Sequence, residues 1–96
     1  MSKYRFDWDS SKNQANRRKH GITFRQAETA FDDENALIEY DDDHSYDEDR
    51  FILIGMSKEL KLLVVCHCYR DSGSVIRIIS ARKANRFEEN LYGGNL

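Results

Sequence analysis

Cations are the residues of this sequence best placed to do chemistry, because they recur at spacings that align charge. Arg77 stands among apolar neighbours in Val75-Ile76-Arg77-Ile78-Ile79-Ser80-Ala81. A guanidinium in mid-strand is costly to bury alone, so it needs a carboxylate, a phosphate or water. Its planar fork suits phosphate well, while Glu48 or Glu88 could equally be its partner. Strict alternation groups Arg77 with Val75, Ile79 and Ala81 and turns Arg82 to the opposite face, with Lys83 next. Lys12 and Lys19 lie two helical turns apart, a stripe of ~10 Å that could match successive phosphates; Arg17 and Arg18 lie between them. His20 follows Lys19. An imidazole there could move a proton near neutral pH, or simply complement the negative end of a helix dipole. Glu48 and Arg50 are two apart, so Glu48 is either a general base or the carboxylate that orients Arg50. Together these residues could bind phosphate, stabilise negative charge and transfer protons.

The charges fall in blocks. Lys12 to Arg25 holds five basic residues and no acid, Glu28 to Asp49 holds eleven acids and no Lys or Arg, and Arg70 to Arg86 is basic again. With a formal net charge of −2, distribution matters more than the sum, and the two basic blocks must meet in space to form a positive face. The 96 residues suffice for one small domain spanning 1–96. No apolar run is long enough to cross a bilayer, and Met1 to Trp8 carries charges where a signal peptide needs apolar residues. A cytoplasmic protein with reduced cysteines and no membrane contact is expected. Cys66-x-Cys68 has no second cysteine pair, and Asp41 to Asp47 lacks the glycine and terminal glutamate of a calcium loop. No metal or cofactor is expected, and the acidic stretch reads as a solvated loop.

The elements that must position these groups follow from local pattern. Tyr4 to Trp8 alternates like a short strand. Asp9 can cap a helix from Ser10 to about His20, which Gly21 would stop. That helix has Ala15 as its only aliphatic residue, so no broad apolar stripe can hold it. Thr23 and Gln26 make a capping box for a second helix with Phe24, Ala27 and Phe31 on its core face. Ala36–Tyr40 reads as a strand, Phe51–Met56 and Leu60–Tyr69 as a hairpin, and Val75–Ala81 as a last strand after the turn Asp71-Ser72-Gly73. A helix from about Lys83 to Leu91 ends the chain. This order predicts an α+β fold, with a small antiparallel sheet, two amino-terminal helices and one carboxy-terminal helix. His67 reads as a core or sheet-face histidine, and Trp8 as core or a base-stacking platform.

Three blocks of residues resemble the BrnT family of toxins. They are Phe6-Asp7-Trp8-Asp9 with Lys12, Asn16, Lys19-His20-Gly21-Ile22, Phe24 and Ala27; Phe31-Asp32-Asp33 and Glu48-Asp49-Arg50 leading to Gly55; and Arg77 to Ala84 with Glu88 and Tyr92. The resemblance implies a RelE-like fold and a ribonuclease toxin that cleaves RNA endonucleolytically and inhibits translation. It also implies a BrnA-type antitoxin, in a heterotetramer of two toxins and two antitoxins, with DNA contacted only through the antitoxin. Cutting RNA without a metal needs a base for the 2′-hydroxyl, cations for the transition state and an acid for the leaving oxygen. Arg77, Arg82, His20, Lys19, Glu48 and Arg50 are the candidates for these tasks; Lys12, Arg17, Arg18 and Lys83 are candidates for RNA binding. The alternative is a non-catalytic module that binds a partner and supports an antitoxin–DNA repressor complex.

Overall fold

The computed structural model describes residues 4–94; residues 1–3, the start of the charged amino-terminal stretch, and 95–96 lie outside it. The chain forms β1 (Arg5–Asp7), α1 (Ser10–His20), α2 (Phe24–Thr29), β2 (Leu37–Tyr40), β3 (Phe51–Met56), β4 (Leu62–Arg70), β5 (Val75–Lys83) and α3 (Arg86–Gly93). Short 3-10 turns occupy Ala30–Asp32, Asp42–His44 and Asp71–Gly73. The strands make one sheet in the order β1-β5-β4-β3-β2. An α+β fold is what the periodicity predicts, but the sheet is mixed. Consecutive strands β2 to β5 pair antiparallel, whereas β1 runs parallel to β5. Turns between consecutive strands dictate opposite directions; β1 and β5 share no turn, and most of the chain separates them.

Local signals place the helices. Asp9 accepts from the Lys12 N–H at 3.0 Å, and Gly21 ends α1 at φ 72°, a left-handed conformation that glycine adopts without steric cost. Both halves of the Thr23–Gln26 capping box are present. The last helix starts at Arg86, later than its periodicity suggests, because Asn85 and Glu88 form a second capping box.

The main core lies between the sheet and α1–α2. Ile22, Phe24 and Ala27 pack there on Leu53, Leu63, Val65, Ile76, Ile78 and Ala81. Close approach is essential at Gly55: a Cβ there would lie 2.9 Å from the Ala30 carbonyl oxygen and 2.8 Å from Leu53 Cδ2. Trp8 packs edge-on against Phe24, under the Arg25 guanidinium. On the opposite face, α3 covers only one end of the sheet, where Tyr92 joins Ile54 and Val64. Tyr92 donates to Asp33 Oδ2 at 2.6 Å, and the Met56 N–H donates to the same oxygen at 2.7 Å. Burial opposes ionisation of Asp33, but these bonds and one from Asn35 outweigh it and hold the carboxyl low. The hydrogen bond to Asp33, with burial and the Asp33 charge, pushes Tyr92 up to about 12.

Polar groups, not apolar ones, fasten α1. Asn16 is its one buried residue. β1 reaches only Val75–Arg77, so the outer edge of β5 is open beyond that point. There the Asn16 carboxamide accepts from the Ala81 N–H at 3.1 Å and donates to the Ala81 carbonyl at 2.8 Å, as a neighbouring strand would. It also donates to the Ile22 carbonyl at 2.9 Å, and Asn13 accepts from the Phe24 N–H at 2.8 Å.

His67 is fully buried, edge-on to Phe31 and Tyr69. Burial lowers its pKa, so the unfolded chain binds this proton more tightly than the folded one. Stability therefore rises with pH through the window below the ordinary imidazole value of about 6.5 and falls on acidification. The slope from one group is at most ~1.4 kcal/mol per pH unit. Thermal melts between about pH 7.5 and 5.5 should show a falling midpoint in the native protein and a smaller fall in His67→Phe. Equal falls would mean that His67 is not the group responsible.

Candidate active site

The bulge in β5 decides which cations share a face. His67 pairs with Ile78 but Cys66 pairs with Ser80, so the register shifts and Ile79 is the extra residue. A bulge reverses the alternation beyond it. Ile76, Ile78 and Ala81 all enter the main core, and Arg77 and Arg82 both emerge on the other face. Alternation without the bulge would separate them. Their partners on β4, Cys68 and Val64, are four residues apart, so at about 3.3 Å per residue they stand roughly 13 Å apart along the strand.

Arg82 is held by α3. The Glu88 carboxylate accepts from Arg82 Nη1 at 2.8 Å and Nη2 at 2.7 Å. The same carboxylate accepts from the Asn85 N–H at 2.8 Å, so one capping box both starts α3 and aims the guanidinium. Hydrogen bonding to Glu88 pushes Arg82 up, and hydrogen bonding from Arg82 holds Glu88 low; the pair is fully ionised near neutrality. With the Lys83 carbonyl included, three of the five donors on Arg82 are engaged and two remain for an anion.

Arg82 lines a cavity of about 230 Å³ together with Arg50, Asp41, His44, Cys66 and Ser80. A water occupies roughly 30 Å³, so a phosphate group can enter. Arg50, the residue before β3, also lines this cavity. Its Nε is buried without a hydrogen-bond partner among the described residues, and Glu48 Oε1 stands 4.0 Å away. Such an orphaned donor costs about 1–3 kcal/mol. Glu48 binds more closely to Arg70, at 3.1 Å. It therefore bridges two arginines, one of which, Arg70, sequence reasoning did not select. Burial first, and then the Asp41 carboxylate, push the Cys66 thiol up; burial does the same to Cys68. Neither is a poised thiolate, and no three metal-binding side chains converge among the described residues.

The other candidates lie elsewhere. Arg77 donates to Asp7 Oδ2 on β1 at 2.6 Å, a partner absent from the sequence-based alternatives. Lys12, Arg17, Arg18 and Lys19 are exposed on α1 and His20 is half-buried at its end. Among the described residues none of the five has an ion pair, and none lines the Arg50–Arg82 cavity. Lys83 is exposed beside Arg82. α1 lies along the open edge of β5 and against the core face of the sheet, whereas Arg77 and Arg82 emerge on the other face, and of the candidate cations only Arg50 and Arg82 line that cavity.

The acidic segment is less solvated than its composition suggests. Asp41 is buried, and its carboxylate lies 2.9 Å from His44 Nδ1. A carboxylate followed three residues later by His is the signal that marks this pair in the sequence.

A family model described as the ribonuclease toxin, BrnT, of type II toxin–antitoxin systems matches residues 8–88. No curated protein matches by sequence. The chain is similar in fold to the crystal structure of the Brucella abortus ribonuclease toxin BrnT. The TM-score is 0.67 at 24% identity, over 86% of this chain and 99% of that one.

Proposed function

The chain belongs to the BrnT family of ribonuclease toxins of type II toxin–antitoxin systems, and from that premise we propose that it cuts RNA endonucleolytically, without a metal, in the cavity between Arg50 and Arg82. Membership in a toxin–antitoxin family entails an antitoxin and an RNA target. A BrnA-type antitoxin in a complex of two toxins and two antitoxins, and inhibition of translation in the cytoplasm, complete the reading.

One observation carries it: two guanidiniums line one phosphate-sized cavity, and among the described residues neither has all its donors hydrogen-bonded. Cleavage through the 2′-hydroxyl builds negative charge on the phosphoryl oxygens, and donors fixed beforehand stabilise that charge without reorganising. Glu88 and Glu48 position the two forks. Lys12, Arg17, Arg18, Lys19 and Lys83 supply a flanking cationic surface for the RNA backbone, with Arg77 further along the sheet and His20 at the end of α1.

Purified protein incubated with total RNA and excess EDTA is expected to degrade it, and an equimolar BrnA-type antitoxin to stop this. Folded protein that leaves RNA intact in both EDTA and magnesium would refute the proposal. That result, with tight antitoxin binding retained, would favour the non-catalytic module. The edge strand β2, with exposed Ile38 and Tyr40, offers such a module a pairing surface.

A further inference from the structure

His44 is the histidine best placed to exchange protons with a ligand. His67 is fully buried among aromatic rings, and His20 lies outside the cavity. The His44 side chain is 65% exposed, whereas that of Asp41, its partner, is 8% exposed. Among the described residues, His44 is the only hydrogen-bond partner of the Asp41 carboxylate, at 2.9 and 3.2 Å. A carboxylate so buried needs a partner, and the Nδ1–H that satisfies it fixes both the tautomer and the plane of the ring. Nε2 makes no hydrogen bond to a described residue.

The segment carrying this pair is anchored at its base. The Asp41 N–H donates to the Arg50 carbonyl at 2.8 Å. Ser45 Oγ donates to the Asp41 carbonyl at 2.6 Å and accepts from the Arg50 N–H at 2.9 Å. The bonds that shape the turn also set Arg50 beside His44, and both residues line a second, adjoining cavity with Tyr46, Asp47 and Glu48. A tethered imidazole that lines the same cavity as two guanidiniums has the parts that phosphodiester transfer requires.

We propose that His44, oriented by Asp41, is the catalytic proton carrier of the Arg50–Arg82 cavity. The inference rests on the reading that RNA is cut there. His44 Nε2 takes the proton of the ribose 2′-hydroxyl as the 2′-oxygen attacks phosphorus. The bond from phosphorus to the 5′-oxygen then breaks, and that oxygen receives the proton from the imidazolium. The products are a 2′,3′-cyclic phosphate and a 5′-hydroxyl, and His44 ends neutral as it began. Asp41 is a positioning residue: it touches no reacting atom but holds the ring in place.

The test uses the full chain, a short RNA of defined sequence, and the same RNA with 2′-deoxy sugars as a binding probe. His44→Gln should lower kcat by about 10²–10⁴-fold while binding the deoxy probe as the native protein does. His44→Ala should regain part of its rate on addition of free imidazole, a readout that a structural histidine would not move. Asp41→Asn should lower kcat with little change in KM, and Asp41→Glu should recover part of the loss. A His44→Gln rate within fivefold of native overturns the inference and leaves the cleavage reading standing. A native protein that cuts nothing removes the reading itself and the inference with it.

Discussion

Replacing Arg82 with alanine is expected to lower the rate of RNA cleavage by a factor of about 10²–10³, the usual cost of removing one fixed donor to a developing oxyanion. The expectation follows from how the residue is held. Two of its nitrogens are bound by Glu88 at 2.7 and 2.8 Å, so little ordering remains to be done when a phosphate arrives. Arg82→Lys should recover only part of the loss, because a point charge cannot donate through a planar fork. Glu88→Gln should cost less than Arg82→Ala, since it loosens the guanidinium without removing it. Initial rates on a defined RNA in EDTA, with thermal melts to confirm folding, provide the measurement. A folded Arg82→Ala protein cutting within threefold of the native rate would remove Arg82 from the proposed site.

The largest expected effect on stability comes from Asn16→Ala. The substitution leaves three buried backbone groups without a protein partner: the N–H and carbonyl of Ala81 and the carbonyl of Ile22. Each such group costs about 1–3 kcal/mol, and water entering at the sheet edge will recover some of it. A net loss of about 3 kcal/mol is expected, a large part of a typical 5–15 kcal/mol stability. At about 4–8 °C per kcal/mol for a chain of this size, the melting midpoint should fall by more than ~10 °C. Asn16→Asp should do no better, since it would set a carboxylate against two carbonyl oxygens. A fall under ~3 °C would mean that α1 is held by contacts other than this amide, contrary to its nearly unburied surface.

The two predictions concern the same strand. Asn16 pairs with Ala81, and Arg82 is the next residue. A loosened α1 would therefore disturb the direction of Arg82 as well as the stability of the fold. The variants separate in what they change: Arg82→Ala should lower the rate far more than the melting midpoint, which falls only by what the Glu88 pair contributes, while Asn16→Ala should lower both.

Much of this protein is legible from residue order because the forces concerned are short-range. Asp9, Gly21 and the Thr23–Gln26 box act within a few residues, so they mark the bounds of α1 and the start of α2 without reference to the rest of the chain. Apolar runs similarly mark β3, β4 and β5, and the polarity of α1 foretells that it cannot rest on an apolar stripe. The Asn85–Glu88 box was equally local, although the periodicity of the last segment pointed to an earlier start. The three motif blocks carried the family. Tertiary structure alone decided which functional side chains meet. The parallel pairing of β1, the bulge at Ile79 that turns Arg77 and Arg82 to one face, and the burial of Asp41 against His44 depend on how distant strands pair. An extra residue in one strand is defined only by the partner that lacks it, and a carboxylate is buried only by what folds over it; neither is encoded within a few residues of the site.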